Sequence, residues 1–543
     1  MTLRLLIIGI DGADYERTAT YISEGTMPTL AELARKGAFL KLQSVIPPVT
    51  PAAWTTITTG CNPGKHGLFE FQRMEPGASG YVLADTRRVP TLFHALNRHG
   101  ATVGLYNVPW TYPPDPYDGF VIGGMETVSL RPEIAHPPSA FDLLLEHAGP
   151  DYEPWPMIAP RFKLDAAKVL RYIGIRVRLT RALLNRFPVD AYMVVFNMVD
   201  FVQHAFIGVA RAEATDGRVI EDPVRWTYAA VDRAVGEILN EFSDPDTVTC
   251  VVSDHGMGVA DRVVNMEKLF ADRGWLVPSG GQVVNAAWRS SLLLWRAVRP
   301  LLPETVRRSL RRLMRSGLSP SRADGPPPAA VDWARTSAAP FGSYGCIRVC
   351  KRGDDSEAGG EDSRCNGLVD EIRSELLSLR FPSDGEPVFE EVLRGPDIFS
   401  GPAVADGPDL VAVPTRHRYW MASGRGGISV RGLLGQPQVL GSLDPPTGVH
   451  RPSGIMFLSG PGVAPGSTGS ARLVDVAPTM LHLLDLPIPD VMDGSPVTAA
   501  MDEQAAARPV TYEHSPARIR RKACDRTCDR ETLEQRLRAL GYL

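Results

Sequence analysis

Four short stretches of the chain carry side chains suited to metal ligation or nucleophilic attack. The first combines Asp11 with the later run VTPAAWTTITTG, in which Thr50 precedes Pro51. Proline suits the first turn of a helix, so Thr50 is expected at or beside the N-cap, where backbone N–H groups and the helix dipole favour an alkoxide. Taken alone, a Thr-Pro pair is an ordinary helix cap. The second stretch is Asp200-Phe-Val-Gln-His204. On a helix, residues four apart share a face at about 6 Å, so a carboxylate and an imidazole can grip one cation, although surface pairs at this spacing are common. The third is Ser253-Asp254-His255-Gly256-Met257 after the apolar run TVTCVV. Adjacent residues of a strand point to opposite faces, so joint ligation by Asp254 and His255 requires the strand to end there, with Gly256 giving the freedom to turn. The fourth is His450, just ahead of the apolar run GIMFL.

Together these give three carboxylates (Asp11, Asp200, Asp254) and three imidazoles (His204, His255, His450) with no thiolate. Such a set suits two divalent ions, Zn2+ first, with Mn2+ or Fe2+ as alternatives. Two ions about 4 Å apart can activate a nucleophile and neutralise a leaving oxygen in an in-line displacement.

These residues need elements to deliver them. Leu3 to Ile10 is a continuous aliphatic run, the pattern of a central parallel strand with Asp11 at its C-terminal edge, where open α/β sheets place their chemistry. Similar runs at Ala191 to Phe196, Thr247 to Val252 and Gly454 to Leu458 lie beside the other candidates, with room for helices between. The expectation is an α/β fold with a mostly parallel central sheet flanked by helices. The catalytic core is assigned to residues 1–276 and 410–500, with a cap insertion at about 110–188, a second insertion at 277–409 and a C-terminal tail at 501–543. The first insertion contains a basic amphipathic run, Leu164 to Arg186. Within the second, Arg289 to Arg322 holds nine arginines and one acid, Glu304. That segment reads either as a capping helix with solvated arginines or as a peripheral contact with an anionic membrane surface.

The motifs IGIDGAD, TPAAWTTITTGCNPGKHG, VFNMVDFVQHAF, VVSDHGM, GVHRPSGIMFLSGPG and VDVAPTMLHLLDLPIPDVMDG resemble, in order and residue type, the type I phosphodiesterase/nucleotide pyrophosphatase branch of the alkaline phosphatase superfamily, in particular its bacterial predicted phosphohydrolases. The resemblance covers most of the chain and implies an alkaline phosphatase-like sandwich with cap insertions. It implies that Asp11, Thr50, Asp254 and His255 hold one metal, and Asp200, His204 and His450 the other. It further implies that Thr50 attacks phosphorus to form a covalent intermediate, making the protein a metal-dependent hydrolase of a small organic phosphate ester. Two features depart from the family. Nucleotide pyrophosphatases usually carry an Asn after the nucleophile helix, whereas KHGLFEFQR has none, leaving Lys65 or Arg73 as candidate phosphoryl contacts. Pro51 also removes one backbone donor beside Thr50. Thr50-Pro51-Ala52-Ala53 lacks the Cys or Ser of a sulfatase. A phosphomutase of the same superfamily and a non-catalytic, metal-stabilised membrane-surface protein are the alternatives.

Bulk properties fit an ordinary globular enzyme. The 543 residues exceed what one core usually holds, and a net charge of -4 gives no case for nucleic-acid binding. Seven scattered cysteines, an odd number, suit a reducing compartment, and Cys524 and Cys528 read as incidental thiols. The N-terminal run lacks the features of a signal peptide, and no stretch approaches the ~20 apolar residues that span a bilayer, so a cytoplasmic protein is expected.

Overall fold

The uninterrupted apolar runs become strands buried on both faces. In the computed structural model, which describes residues 3–75, 78–81, 87–127, 129–159, 163–279, 330–349, 361–422 and 439–515, nine strands form the main sheet. They are β1 (Leu5–Ile10), β2 (Ala38–Gln43), β3 (Val103–Val108), β4 (Gly119–Gly123), β5 (Ala135–His136), β6 (Ala191–Phe196), β7 (Val248–Val252), β8 (Ser453–Ser459) and β9 (Ser467–Arg472). Their order is β9-β2-β8-β7-β1-β6-β3-β4-β5. Every residue of β1, β3, β6 and β7 is buried, as expected of strands covered on both sides. The sheet is mostly parallel; β8 runs antiparallel to both its neighbours, as does β5 to β4.

Register gathers the chemistry at one edge. Ile10 pairs with Phe196 and Gly9 with Val252, so β1, β6 and β7 end level and release Asp11, Asn197 and Ser253 side by side. Because β8 is reversed, its beginning lies at that edge, opposite the end of β2. His450 just before β8 and Thr50 just after β2 therefore arrive at the same place.

Four helices matter for the site: α1 (Thr50–Thr59), α2 (Ala166–Arg186), α3 (Met198–Phe206) and α4 (Pro223–Phe242). All ten residues of α1 are buried. Its hydroxyls are satisfied locally, Thr59 donating to Thr55 O at 2.6 Å and Thr58 to Trp54 O at 3.1 Å. Gly60, at φ 63, ends it in the left-handed conformation. Helix α2 packs on α4, and its Arg176 is buried, donating to the hydroxyls of Tyr106 and Tyr152 and to Val195 O.

Two boundaries differ from the sequence reading. Residues 110–188 are not a separate cap, since they supply β4 and β5 to the main sheet and α2 to its flank. The strand Leu410–Pro414 belongs to the second lobe, because its five buried residues pair with Cys346–Val349 and Phe389–Arg394. That lobe is a four-stranded antiparallel sheet whose apolar core includes Ile347, Ile372, Leu376, Phe389 and Leu410. The strands Gly256–Asn265, Leu440–Arg451 and Tyr419–Ala422 form a three-stranded sheet beyond the site edge. The arginine-rich segment 289–322 and Cys524 and Cys528 lie outside the described residues. Among those described, no helix is long and apolar enough to cross a membrane.

Candidate metal centre

Asp11 follows β1 directly, and Gly12 makes the turn that sets it in place. Gly12 has φ +70, and a Cβ there would meet Asp200 Oδ1 at 2.9 Å, so this residue must be glycine on both counts. Gly256 is required for a different reason from the expected turn. It opens a strand, and a Cβ would lie 2.3 Å from Ser453 O and 2.5 Å from Asp14 Oδ2. That close approach lets Gly256 pair with Arg451 and Met257 with His450, bringing the rings of His255 and His450 to 3.6 Å between centroids. Asp200 and His204 lie on α3, as their four-residue spacing anticipates, with His204 Nε2 3.4 Å from Asp200 Oδ1.

Each of the three imidazoles is oriented by a backbone carbonyl. Nδ1 of His204 donates to Gly448 O at 3.1 Å, that of His255 to Gly256 O at 3.1 Å, and that of His450 to Pro48 O at 2.9 Å. A carbonyl can only accept, so Nδ1 of each ring carries a proton, and a ring in its neutral form then has its lone pair on Nε2. All three Nε2 atoms face the cluster. Nε2 of His204 and His450 stand 3.0 Å apart, and His450 Nε2 is 3.5 Å from Asp200 Oδ1. Nitrogens facing one another at that distance need a proton or a metal cation between them, and anchoring of the far ring nitrogen is the usual support of a metal-binding histidine.

The carboxylates complete the pattern. His255 Nε2 lies 3.1 Å from Asp254 Oδ2 and 3.8 Å from Asp11 Oδ1. Both of those oxygens are buried and have no hydrogen-bond partner among the described residues, a costly state unless an ion takes them up. Burial raises the pKa of Asp11, and the charges of Asp254 and Asp200 raise it further; burial likewise raises Asp254. Burial lowers His255 and His450, which holds them neutral. Rich in carboxylates and fully buried, with His255 and His450 neutral, the centre has the donor set that a divalent cation would suit. Ligand atoms of Asp11, Asp254 and His255 lie within 4.8 Å of one another, and so do those of Asp200, His255 and His450. His255 thus stands between the two groups.

Thr50 occupies the first position of α1, with Val49 as the cap residue. Its hydroxyl is therefore not spent on capping. It donates to His255 Nε2 at 3.4 Å, placing a hydroxyl oxygen against the cluster. Lys65 is placed otherwise: its ammonium is held by Asp493 at 2.6 Å and by Val491 O at 2.9 Å. Arg73 lies on the strand Gln72–Glu75, and its side chain is outside the described residues. His66 packs locally, accepting Leu68 N–H and bonding Thr56 Oγ1 at 3.0 Å.

Sequence reasoning did not single out the residues that hold this centre from behind. Trp54 and Asn197 both donate to Asp11 Oδ2, at 3.3 and 3.2 Å. Gln203 donates to Gly12 O at 2.8 Å. Arg451 clamps Asp14 with two bonds, at 2.8 and 2.9 Å. All four sit inside the motifs quoted above, yet none is of a type that announces such a role.

Among solved structures, the chain is similar to phosphonoacetate hydrolase from Sinorhizobium meliloti 1021 in complex with phosphonoacetate, at 16% identity and a TM-score of 0.51 over 88% of this chain and 94% of that one. The same enzyme in complex with phosphonoformate gives 15% identity at the same TM-score and coverage. Murine ectonucleotide pyrophosphatase/phosphodiesterase 5 is 13% identical, with a TM-score of 0.44 over 89% of this chain and 95% of that one. At these identities the likeness concerns the fold, an α/β architecture of the alkaline phosphatase type. No curated protein sequence matches the chain. The family described as type I phosphodiesterase / nucleotide pyrophosphatase matches residues 5–318, more than half of the chain and all of the site except His450. The protein therefore belongs to the type I phosphodiesterase/nucleotide pyrophosphatase family and is an enzyme of that phosphoester-hydrolysing class.

Proposed function

We propose that the protein is a metal-dependent phosphodiesterase, similar to the nucleotide pyrophosphatases, that hydrolyses a small organic phosphate ester through a phosphoryl ester on Thr50. The observation that carries this reading is the convergence of three carbonyl-anchored imidazoles and the partnerless oxygens of Asp11 and Asp254 beside the Thr50 hydroxyl. Asp11, Asp254 and His255, with Thr50, would hold one ion, and Asp200, His204 and His450 the other. The nitrogen–oxygen donor set favours Zn2+, with Mn2+ and Fe2+ next. Such ions supply the Lewis acidity that lets a threonine ionise near neutral pH and that offsets charge on the transferring group.

The chain's own residues do the rest. Thr50 Oγ1 attacks phosphorus and the bond to the leaving oxygen breaks; water then cleaves the Thr50 ester, returning the hydroxyl and releasing phosphate or a phosphomonoester. The first turn of α1 presents the N–H groups of Thr50 and Ala52 and the positive end of the helix dipole to the developing charge, Pro51 having no N–H to offer. Thr50, Asp254 and His255 have no exposed surface, and the low dielectric of such a place strengthens each of these interactions.

The test is hydrolysis of bis-p-nitrophenyl phosphate and p-nitrophenyl phosphate by metal-stripped enzyme reloaded with Zn2+, Mn2+ or Mg2+. Turnover should return with metal and fall by about 10³-fold or more in Thr50→Ala, which should keep its fold. The favoured ester assigns diester or monoester specificity. Wild-type-like turnover in Thr50→Ala would remove Thr50 as the nucleophile.

A further inference from the structure

The two carboxylate oxygens of Asp11 have unlike surroundings. Oδ2 accepts the indole N–H of Trp54 and the side-chain amide N–H of Asn197. Oδ1 has no hydrogen-bond partner among the described residues and is the oxygen that faces His255 Nε2. The Asn197 amide is itself oriented. Asn107 Nδ2 donates to Asn197 Oδ1 and, at 2.9 Å, to Val195 O. With its oxygen engaged on one side, Asn197 must turn its NH2 to the other, where it meets Asp11 Oδ2 and, at 3.5 Å, Met125 Sδ.

Both asparagines hold positions that local preference alone does not explain. Asn197 is the N-cap of α3, a position asparagine favours because its side chain can bond the first-turn N–H groups; here it makes no such bond. The helix forgoes that stabilisation, and the amide goes to Asp11 instead. Asn107 has φ 57, a left-handed conformation uncommon outside glycine. It lies on β3 and Asn197 follows β6, adjacent strands of the main sheet, with β6 next to β1. The relay therefore runs across the sheet edge from Asn107 to Asn197 to Asp11.

We infer that Asn197, oriented by Asn107 and assisted by Trp54, is a positioning residue that reserves Oδ1 of Asp11 for a divalent cation in the Asp11–Asp254–His255 cluster. The inference rests on the metal reading proposed above. Trp54 adds a link to the nucleophile. It stands four residues after Thr50 on α1, so its bond to Asp11 ties the helix that carries the nucleophile to the ligand.

The experiment is calorimetric titration of metal-stripped full-length protein with Zn2+, comparing wild type with Asn197→Leu and Asn107→Gly. Leucine nearly matches asparagine in size but cannot donate, and glycine tolerates the left-handed backbone at position 107 while removing its amide. Wild type should bind two ions. In Asn197→Leu one binding step should weaken by about 10- to 100-fold and the other should stay within about threefold. The affected step should be the one lost in Asp254→Asn and kept in Asp200→Asn. Asn107→Gly should weaken the same step by a smaller factor, and it reports on the relay even if the leucine variant misfolds. A wild type that binds no zinc overturns the metal reading itself. Two ions bound by wild type, with both relay variants unchanged or weakened equally at both steps, overturns the positioning role alone.

Discussion

At the scale of the residue, what a polar side chain can do depends on which of its atoms are already committed. His204, His255 and His450 each commit Nδ1 to a carbonyl, so only Nε2 can bind an ion. Glu70 is the contrasting case, a buried carboxylate whose oxygens are taken up. It accepts Ser343 N–H at 2.7 Å and Phe71 N–H at 2.8 Å, tying the segment after α1 to the second lobe. Burial nevertheless pushes its pKa up from 4.5 to about 7 against those hydrogen bonds. Raised above its unfolded value, Glu70 contributes stability that is fully present below about pH 4.5 and is lost as pH rises through about 7. Glu70→Gln cannot ionise. It should therefore lose less stability than wild type between pH 5 and 8, the gap being on the order of 3 kcal/mol. Urea denaturation of both proteins at the two pH values measures it, and an identical pH dependence would count against a titrating Glu70.

At the scale of elements, the centre is assembled by strand direction. Parallel strands β1, β6 and β7 release their residues at one edge, and the reversed β8 brings His450 to it from the C-terminal part of the chain. The Asp14–Arg451 pair joins the loop after β1 to the residue after His450, and so ties together the segments that carry Asp11 and His450. Asp14 is fully buried and the Arg451 side chain is 32% exposed, a pair between the buried and surface limits. Arg451→Leu removes the guanidinium that clamps this carboxylate, leaving Arg17 as its nearby cation. It should cost about 1–3 kcal/mol of stability, and should weaken zinc binding by the group containing His450 more than by the group containing Asp11. A variant with the wild-type urea midpoint and unchanged zinc binding would show that the strand Leu440–Arg451 is held in place without this clamp.

For the whole molecule, two apolar layers sandwich the main sheet, and the second lobe has a core of its own. The buried carboxylates at the sheet edge repel one another, so an ion bound there is bound by the folded state alone. At 100 times its dissociation constant, each ion should stabilise the fold by about 2.7 kcal/mol. Calorimetric scans with and without a chelator should therefore show the transition of the main sheet moving down on metal removal. The second lobe should respond less. Superimposable scans would mean that no ion is bound in solution.

The sequence alone determined which residue types meet at the site and that they lie at strand ends and on one helix face. Runs such as LLIIGI and AYMVVF are too apolar for any other place, and the spacing of Asp200 and His204 suits one helical turn. It could not determine direction, register or second partners. Residues 110–188 read as an insertion although they supply strands to the sheet, the Asp493 partner of Lys65, one of two candidate phosphoryl contacts, was not legible, and Asn197 read as nothing at all. The bonds that decide these points join residues far apart in the chain, 186 positions for Asn197 to Asp11 and 437 for Arg451 to Asp14. Burial and periodicity are local properties that a sequence carries in full, whereas the partner of a buried polar atom exists only once packing has brought distant segments within 3 Å of each other.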